Sequence, residues 1–269
     1  MSISHPVSRP PAVAGMFYPS APEELATTVD QLLAEAAITE TLQPKALIVP
    51  HAGYIYSGST AAMAYAMLAP WRSTIRRVIL LGPTHRVAVN GLAVPKTEAF
   101  ATPLGTVLLD KAAIARLTDL PQIVFSDHVH AEEHSLEVHL PFLQRLLDDF
   151  TLVPLAVGHA SPQAVAEVLE RLWGGPETLI VISSDLSHFL TYASANQVDH
   201  NTCKHILQLD TQIDPQQACG AYPINGLLLT ARHRGLTPQL IYHCNSGDTA
   251  GDKQRVVGYA AFAFYETAS

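Results

Sequence analysis

Four short apolar runs constrain this chain most: KALIVP (45–50), RRVILLG (76–82), TLVPLAV (151–157) and TLIVISSD (178–185). Each is too short for a helix and too uniformly apolar for a strand with one wet face. Such runs read as strands buried on both sides, which requires a sheet covered by helices on each face. Helical patterns duly fall between and around them. EELATTVDQLLAEAA (23–37) follows Ser20 and Pro22, and STAAMAYAML follows a Gly-rich turn. KAAIARLTD is short, and LEVHLPFLQRLLDD carries Pro141 near its start. SPQAVAEVLERLW (161–173) opens with Ser161 as N-cap and Pro162 at the first helical position. Residues 196–209 and INGLLLTARHRG are also helical, the latter closed by Gly235. GLAVP (91–95) and GTVLLD (105–110) fit a hairpin or a sheet edge, and QLIYHCNS and VVGYAAFAFY are strands. The expected fold is a single α/β domain over residues 1–269, with a mostly parallel central sheet flanked by helices and some antiparallel pairs.

Composition supports this architecture and excludes several functions. Hydrophobic residues make up 48% of the 269 positions and charged residues 15%, enough for one large core. The net charge is −8, and no Lys/Arg run alternates with aromatics, which argues against nucleic acid as a partner. The N-terminal MSISHPVSRPPAVAG lacks the apolar region of a signal peptide, and no apolar run reaches the ~18 residues of a membrane span. Cys203, Cys219 and Cys244 are odd in number and lack C-x-x-C spacing, so no disulfide framework is expected and a reducing, cytoplasmic setting is. There is no G-x-S-x-G elbow, Walker loop or G-x-G-x-x-G, and no cofactor other than a metal is supported.

Thirteen histidines are many for this length. What matters is where some of them fall. His51 follows KALIVP directly, His85 follows RRVILLG after Pro83 and Thr84, Asp185 and His188 close TLIVISS, and Asp248 follows QLIYHCNS. In open α/β sheets ligands bind beyond the carboxyl ends of the strands. Polar residues follow strands in every protein, so no one position is informative; two histidines after buried runs, each in a turn fixed by Gly or Pro, are. We therefore expect a mononuclear metal site of His51, His85 and Asp248, with Cys244 the lesser alternative for the third ligand. Two imidazoles and one carboxylate leave about three of six positions open, the pattern of non-haem iron(II) sites. Catalytic zinc accepts the same donors, so ligand types alone do not separate iron from zinc.

His188 suits a general base near the metal, and Asp185 either orients His188 or His85 or caps a helix beginning there. Tyr54, in the turn that follows His51, and His134 are expected in the same pocket. His130, Glu133 and His134 match the H-x-x-E-H of inverted zinc peptidases. That motif needs both histidines on one stable helical face, and the segment reads as loop, so a peptidase site is not expected. Cys244, inside a strand, reads as a small buried hydrophobe.

Seven ordered segments (VAGMFYP, VPHAGYIYSG, LLGPTH, EEHSLEVHLPFL, ISSDLSH, NSGD and VVGYAAF) together resemble the Memo family, protein B of the microbial AmmeMemoRadiSam system. The resemblance spans Pro10 to Phe264. It implies a fold similar to class III extradiol dioxygenases, with His51 and His85 as metal ligands and His188 as the base. In animal members the third ligand is a cysteine shortly before the last strand; the matching place here, counted back from that strand, is Asp248 or Thr249, with Cys244 upstream. The implied function is an iron- or copper-dependent oxidoreductase acting on a small aromatic or diol-like molecule. Two alternatives stand beside it: a binding or adaptor protein using the same pocket, with protein partners from the AmmeMemoRadiSam system, and a zinc hydrolase.

Overall fold

The computed structural model describes residues 6–36 and 42–266. The first five residues of the stretch read above for a leader lie outside the described residues, as does Ala37, the last residue of the first expected helix. In chain order the first strands are β1 (Ser8–Arg9), β2 (Ala46–Val49), β3 (Arg77–Pro83), β4 (Leu92–Val94), β5 (Ala99–Thr102) and β6 (Gly105–Leu108). They are followed by β7 (Ile123–Phe125), β8 (Thr151–Val157), β9 (Thr178–Ser183), β10 (His188–Leu190), β11 (Thr237–Asn245) and β12 (Val256–Tyr265). The helices are α1 (Pro22–Glu35), α2 (Tyr54–Tyr65), α3 (Lys111–Ala115), α4 (Asp127–Ala131), α5 (Leu140–Leu146), α6 (Pro162–Leu172), α7 (Tyr192–Leu207) and α8 (Ala221–Arg234).

Nine strands form one mixed sheet in the order β10-β12-β2-β9-β3-β8-β4-β7, with β11 on the other side of β12. Its centre, β2-β9-β3-β8, is parallel, and every residue of β2 and β9 is buried, as their apolar runs require. Within this sheet antiparallel pairing is confined to β4 with β8 and to the side built around β12. Helices α6 and α8 pack as a pair with α8 against β3 and β9, while α2 lies on β2, β11 and β12 with α1 and α5 beside it. The caps follow the sequence. Ser161 accepts the Ala164 N–H at 3.1 Å, and Gly235 ends α8 with φ of 67°, a left-handed turn that glycine adopts without strain.

Parallel central strands place their carboxyl ends on one edge. Residues following Val49, Pro83, Val157 and Ser183 therefore gather there. Because β12 runs against β2, the turn from β11 into β12 reaches the same edge.

Several local expectations change. GLAVP and GTVLLD do not pair with each other: β4 joins the large sheet, whereas β6 pairs with β5 in a separate three-stranded sheet. SSDLSH does not open a helix; the strand β10 begins at His188 and α7 only at Tyr192. The stretch after His134 splits into a 3-10 turn, Glu137–His139, and then α5, with a proline at the start of that helix.

A buried ion pair ties the N-terminal segment to the site. Glu137, fully buried, accepts from Arg9 Nη1 at 2.5 Å, from the N–H groups of Ala12 and Val13 at 2.8 and 3.0 Å, and from Tyr18 Oη at 2.6 Å. The Arg9 guanidinium also donates to the carbonyls of His130 and Glu133 at 2.5 and 2.7 Å. Both carboxylate oxygens and every guanidinium nitrogen of the pair are thus engaged, the condition under which a buried charge is tolerated. Removing one partner strands the other charge. We predict that Glu137→Ala costs about 3–5 kcal/mol in denaturant unfolding, and that joining it to Arg9→Met restores a large part of the loss.

Candidate metal centre

His51 leaves the end of β2 through Pro50. Its backbone N–H donates to Asp185 Oδ1 at 2.8 Å, and its ring is buried. Nδ1 lies 2.6 Å from Ser183 Oγ, and that hydroxyl in turn donates to the Ser135 carbonyl at 2.6 Å. A hydroxyl has one proton, and here it is spent on a carbonyl that can only accept. Nδ1 of His51 must therefore carry the proton, and the lone pair sits on Nε2.

His85, three residues past the apolar run of β3, is fixed in the same sense by different means. Glu133 accepts the His85 backbone N–H at 2.5 Å and the ring Nδ1 at 2.8 Å, and also the Ser135 N–H at 2.9 Å. Burial raises the Glu133 pKa, but the side-chain bond and charge of His85 and the two backbone N–H groups outweigh it and hold the carboxyl at about 2. An ionised carboxylate on Nδ1–H leaves Nε2 of His85 as the free lone pair. A carboxylate or hydroxyl orienting an imidazole from behind is the usual outer partner of a metal-binding histidine.

His134 completes the group. Its ring stacks on that of His85 at 4.6 Å with 19° between planes, and Phe17 covers it at 4.6 Å. One nitrogen from each of His51, His85 and His134 lies within 4.8 Å of the others, a set that can hold a metal ion. Burial, and then the neighbouring imidazoles, keep His51 far below the ordinary histidine range; the same two causes bring His134 to about 4. Both are therefore neutral near pH 7, the form in which imidazole binds metals. The donors fit an ion by tautomer, charge and convergence.

Two further groups border the set. Cys219, in the turn before α8, brings Sγ to 3.4 Å from His51 Nε2. Gly220 permits this approach, since a Cβ there would stand 2.6 Å from the Ser184 Cβ. Asp185 Oδ2 lies 3.9 Å from His51 Nε2, and burial raises its pKa to about 6 against the N–H bonds of His51 and Ala52. His188 donates Nδ1–H to the Leu186 carbonyl at 2.8 Å, which leaves its Nε2 as a base. Its side chain lines two clefts: one of about 600 Å³ shared with His134, Asp185 and Tyr259, and one of about 720 Å³ shared with His85 and Cys219.

The structure thus brings His51 and His85 together with His134 and sets Asp185 and His188 beside them. Asp248 stands apart. It belongs to the 3-10 turn Ser246–Asp248, where Oδ2 accepts the Asn245 N–H at 3.1 Å in a reciprocal capping box and Oδ1 accepts from Tyr192 Oη at 2.6 Å. Both oxygens are committed to local structure, and the third donor of the group is His134. Cys244 is buried in β11, with Sγ 3.2 Å from Thr60 Oγ1, and the cysteine beside the histidines is Cys219. Tyr54 donates its hydroxyl to the Val138 carbonyl at 2.7 Å and faces a neighbouring cleft with Met16 and Phe17. The H-x-x-E-H pattern is divided: α4 ends at Ala131, and His130 Nε2 lies 2.9 Å from the Ala93 carbonyl, apart from the His134 group. Glu133 is named from sequence only as the acid of the H-x-x-E-H pattern, and Cys219 only as one of three cysteines; neither is expected at this site. For Glu133 the available signal was an acid next to a pocket histidine, since an oriented imidazole needs a fixed acceptor.

The fold and this group define an α/β protein with a candidate three-histidine metal centre. The chain belongs to the Memo family: the family model described as Memo-like protein matches residues 9–263. Among curated relatives, a "MEMO1 family protein" of Ignicoccus hospitalis is 36% identical, with 95% of this chain and 98% of the relative covered. One of Aquifex aeolicus is also 36% identical over the same shares, and one of Methanosarcina barkeri is 35% identical over 94% and 98%. No helix among the described residues is long and apolar enough to cross a membrane.

Glu133→Gln preserves shape but removes the charge behind His85, and we predict a loss of about 10–100-fold in affinity for zinc or iron(II), measured by competition with a chelator. The same group sets an acid limit. Its pKa is depressed on folding, so its stabilisation is complete above the ordinary value of 4.5 and is lost as pH falls through that value toward about 2. In metal-free protein, urea unfolding should weaken by on the order of 3 kcal/mol across that window, and Glu133→Gln should flatten this dependence.

Proposed function

We propose that this protein is a metal-dependent oxidoreductase with a dioxygenase-like site, in which His51, His85 and His134 hold one ion, iron(II) in the first instance, and a small substrate enters beside His188. The observation that carries the proposal is the convergence of three imidazoles, two of them with Nδ1–H anchored by Glu133 and Ser183, next to a fourth histidine whose Nδ1–H is held by the Leu186 carbonyl. Copper suits the same imidazole donors. An ion bound there supplies Lewis acidity toward a chelating substrate and one-electron chemistry with dioxygen. The protein's own residues do the rest. His188 accepts a proton from a substrate hydroxyl at Nε2, and its bond to the Leu186 carbonyl keeps the ring in the tautomer that can do so. Asp185 anchors the His51 backbone. Phe17, packed on His134, shields that side of the group from water. Family membership gives no activity by itself, and neither does fold. Association with other AmmeMemoRadiSam proteins is likewise a proposal, supported by the family alone.

A second reading is favoured by the donor set itself. The third donor is an imidazole rather than a carboxylate, and three histidines with an open position also describe catalytic zinc, which points to hydrolysis. Two measurements decide. Protein prepared without chelator should carry about one ion per chain, and His51→Ala and His85→Ala should each lose it; unchanged content in both would reject the site. With iron(II) and a catechol panel, oxygen uptake should occur and fall about 10²–10⁴-fold in His188→Gln at unchanged metal content. Turnover of an ester without oxygen uptake would instead support the zinc reading.

A further inference from the structure

The cleft that reaches His134 and His188 has a chemistry of its own. Phe17, Tyr56, Phe189 and Tyr259 wall it, a lining that suits a flat ring. Arg255 is the cation of this lining. Arg77 is matched to Asp110 and Arg234 to Glu170, whereas among the described residues the Arg255 guanidinium, like those of Arg86, Arg116 and Arg232, makes no ion pair, and of these four arginines Arg255 is the one that lines this cleft. Asp252 lines the same cleft, yet its Oδ1 caps its own turn by accepting the N–H groups of Gln254 and Arg255 at 2.7 and 3.3 Å. What Arg255 does contact is the face of Phe189, 5.0 Å from its centroid.

Phe189 itself is unusual. It is 60% exposed, and its φ of 60° lies in the left-handed region, which is strained for a residue with a bulky side chain. Its exposure rules out core packing as the compensation. The strained residue, at an irregularity in β10, presents the ring, adjacent in sequence to His188, as a platform on which the guanidinium rests at the lining of the cleft. A guanidinium held flat by a ring keeps its edge donors free for two oxygens of one anion.

We infer that the substrate is an aromatic anion: its ring sits between the aromatic walls, and its carboxylate or phosphate is held by Arg255. This inference deepens the reading above and rests on it for the metal end of the molecule. The anion end can be tested without the metal.

Benzoate, phenyl phosphate and the neutral benzamide are titrated calorimetrically into the wild-type protein, Arg255→Gln and Phe189→Gly. At least one of the two anions should bind about tenfold or more tightly than benzamide to the wild type, and the stronger of the two identifies the source of the charge. The preference should vanish in Arg255→Gln. Phe189→Gly removes the platform while relieving the left-handed strain, so it should raise Tm and still weaken anion binding. No anion preference in the wild type, or one that survives in Arg255→Gln, would overturn the inference. Unchanged anion affinity in Phe189→Gly would overturn the platform. A parallel titration of catechol into wild type and His85→Ala, both loaded with zinc, separates the two readings: catechol binding indifferent to His85→Ala contradicts the metal site and leaves the Arg255 result standing.

Discussion

A buried carboxylate must be paired or protonated, and this architecture depends on how Glu133 meets that demand. Its two oxygens take the backbone and the ring of His85 together with the Ser135 N–H. Those bonds fix the direction of one imidazole and draw the segment 133–135 onto the sheet edge. Ser135 then receives the Ser183 hydroxyl, which fixes the tautomer of His51. Two histidines from strands β2 and β3 are thus set by one connected network. The third, His134, is the immediate neighbour of the carboxylate. Arg9 and Glu137 hold the same segment from the other side and bring Phe17 over it.

Much of this fold is legible in the sequence because fully buried strands have a composition that little else shares. KALIVP, RRVILLG, TLVPLAV and TLIVIS become β2, β3, β8 and β9, and the parallel order of these four explains why His51 and His85 meet. The short strands were not legible. β1, β5, β7 and β10 have two to four residues each, too few for a period, and they exist because neighbouring chain offers them partners.

The site was legible in part for a related reason. A histidine directly after a buried run has little freedom in where it points, so His51 and His85 could be read. Asp248 follows a strand too, but NSGD is also a capping box, and a short acid beside a free backbone N–H closes the turn. Glu133, His134 and Cys219 reach the centre from loops between elements distant in the chain. No spacing rule brings them there. That the candidate group has His134 where Asp248 was expected matters chemically, because three imidazoles would bring no negative charge of their own to an ion and would move the choice of metal from ligand charge to the surrounding groups, Cys219 and Asp185 among them.

The central claim is that Nε2 of His51 and of His85 point at one cation. Anomalous X-ray diffraction from crystals of the metal-loaded protein tests it most directly. The account predicts a single strong peak at about 2.0–2.2 Å from both nitrogens, within reach of His134. A peak at Asp248, or at either histidine alone through Nδ1, would contradict it.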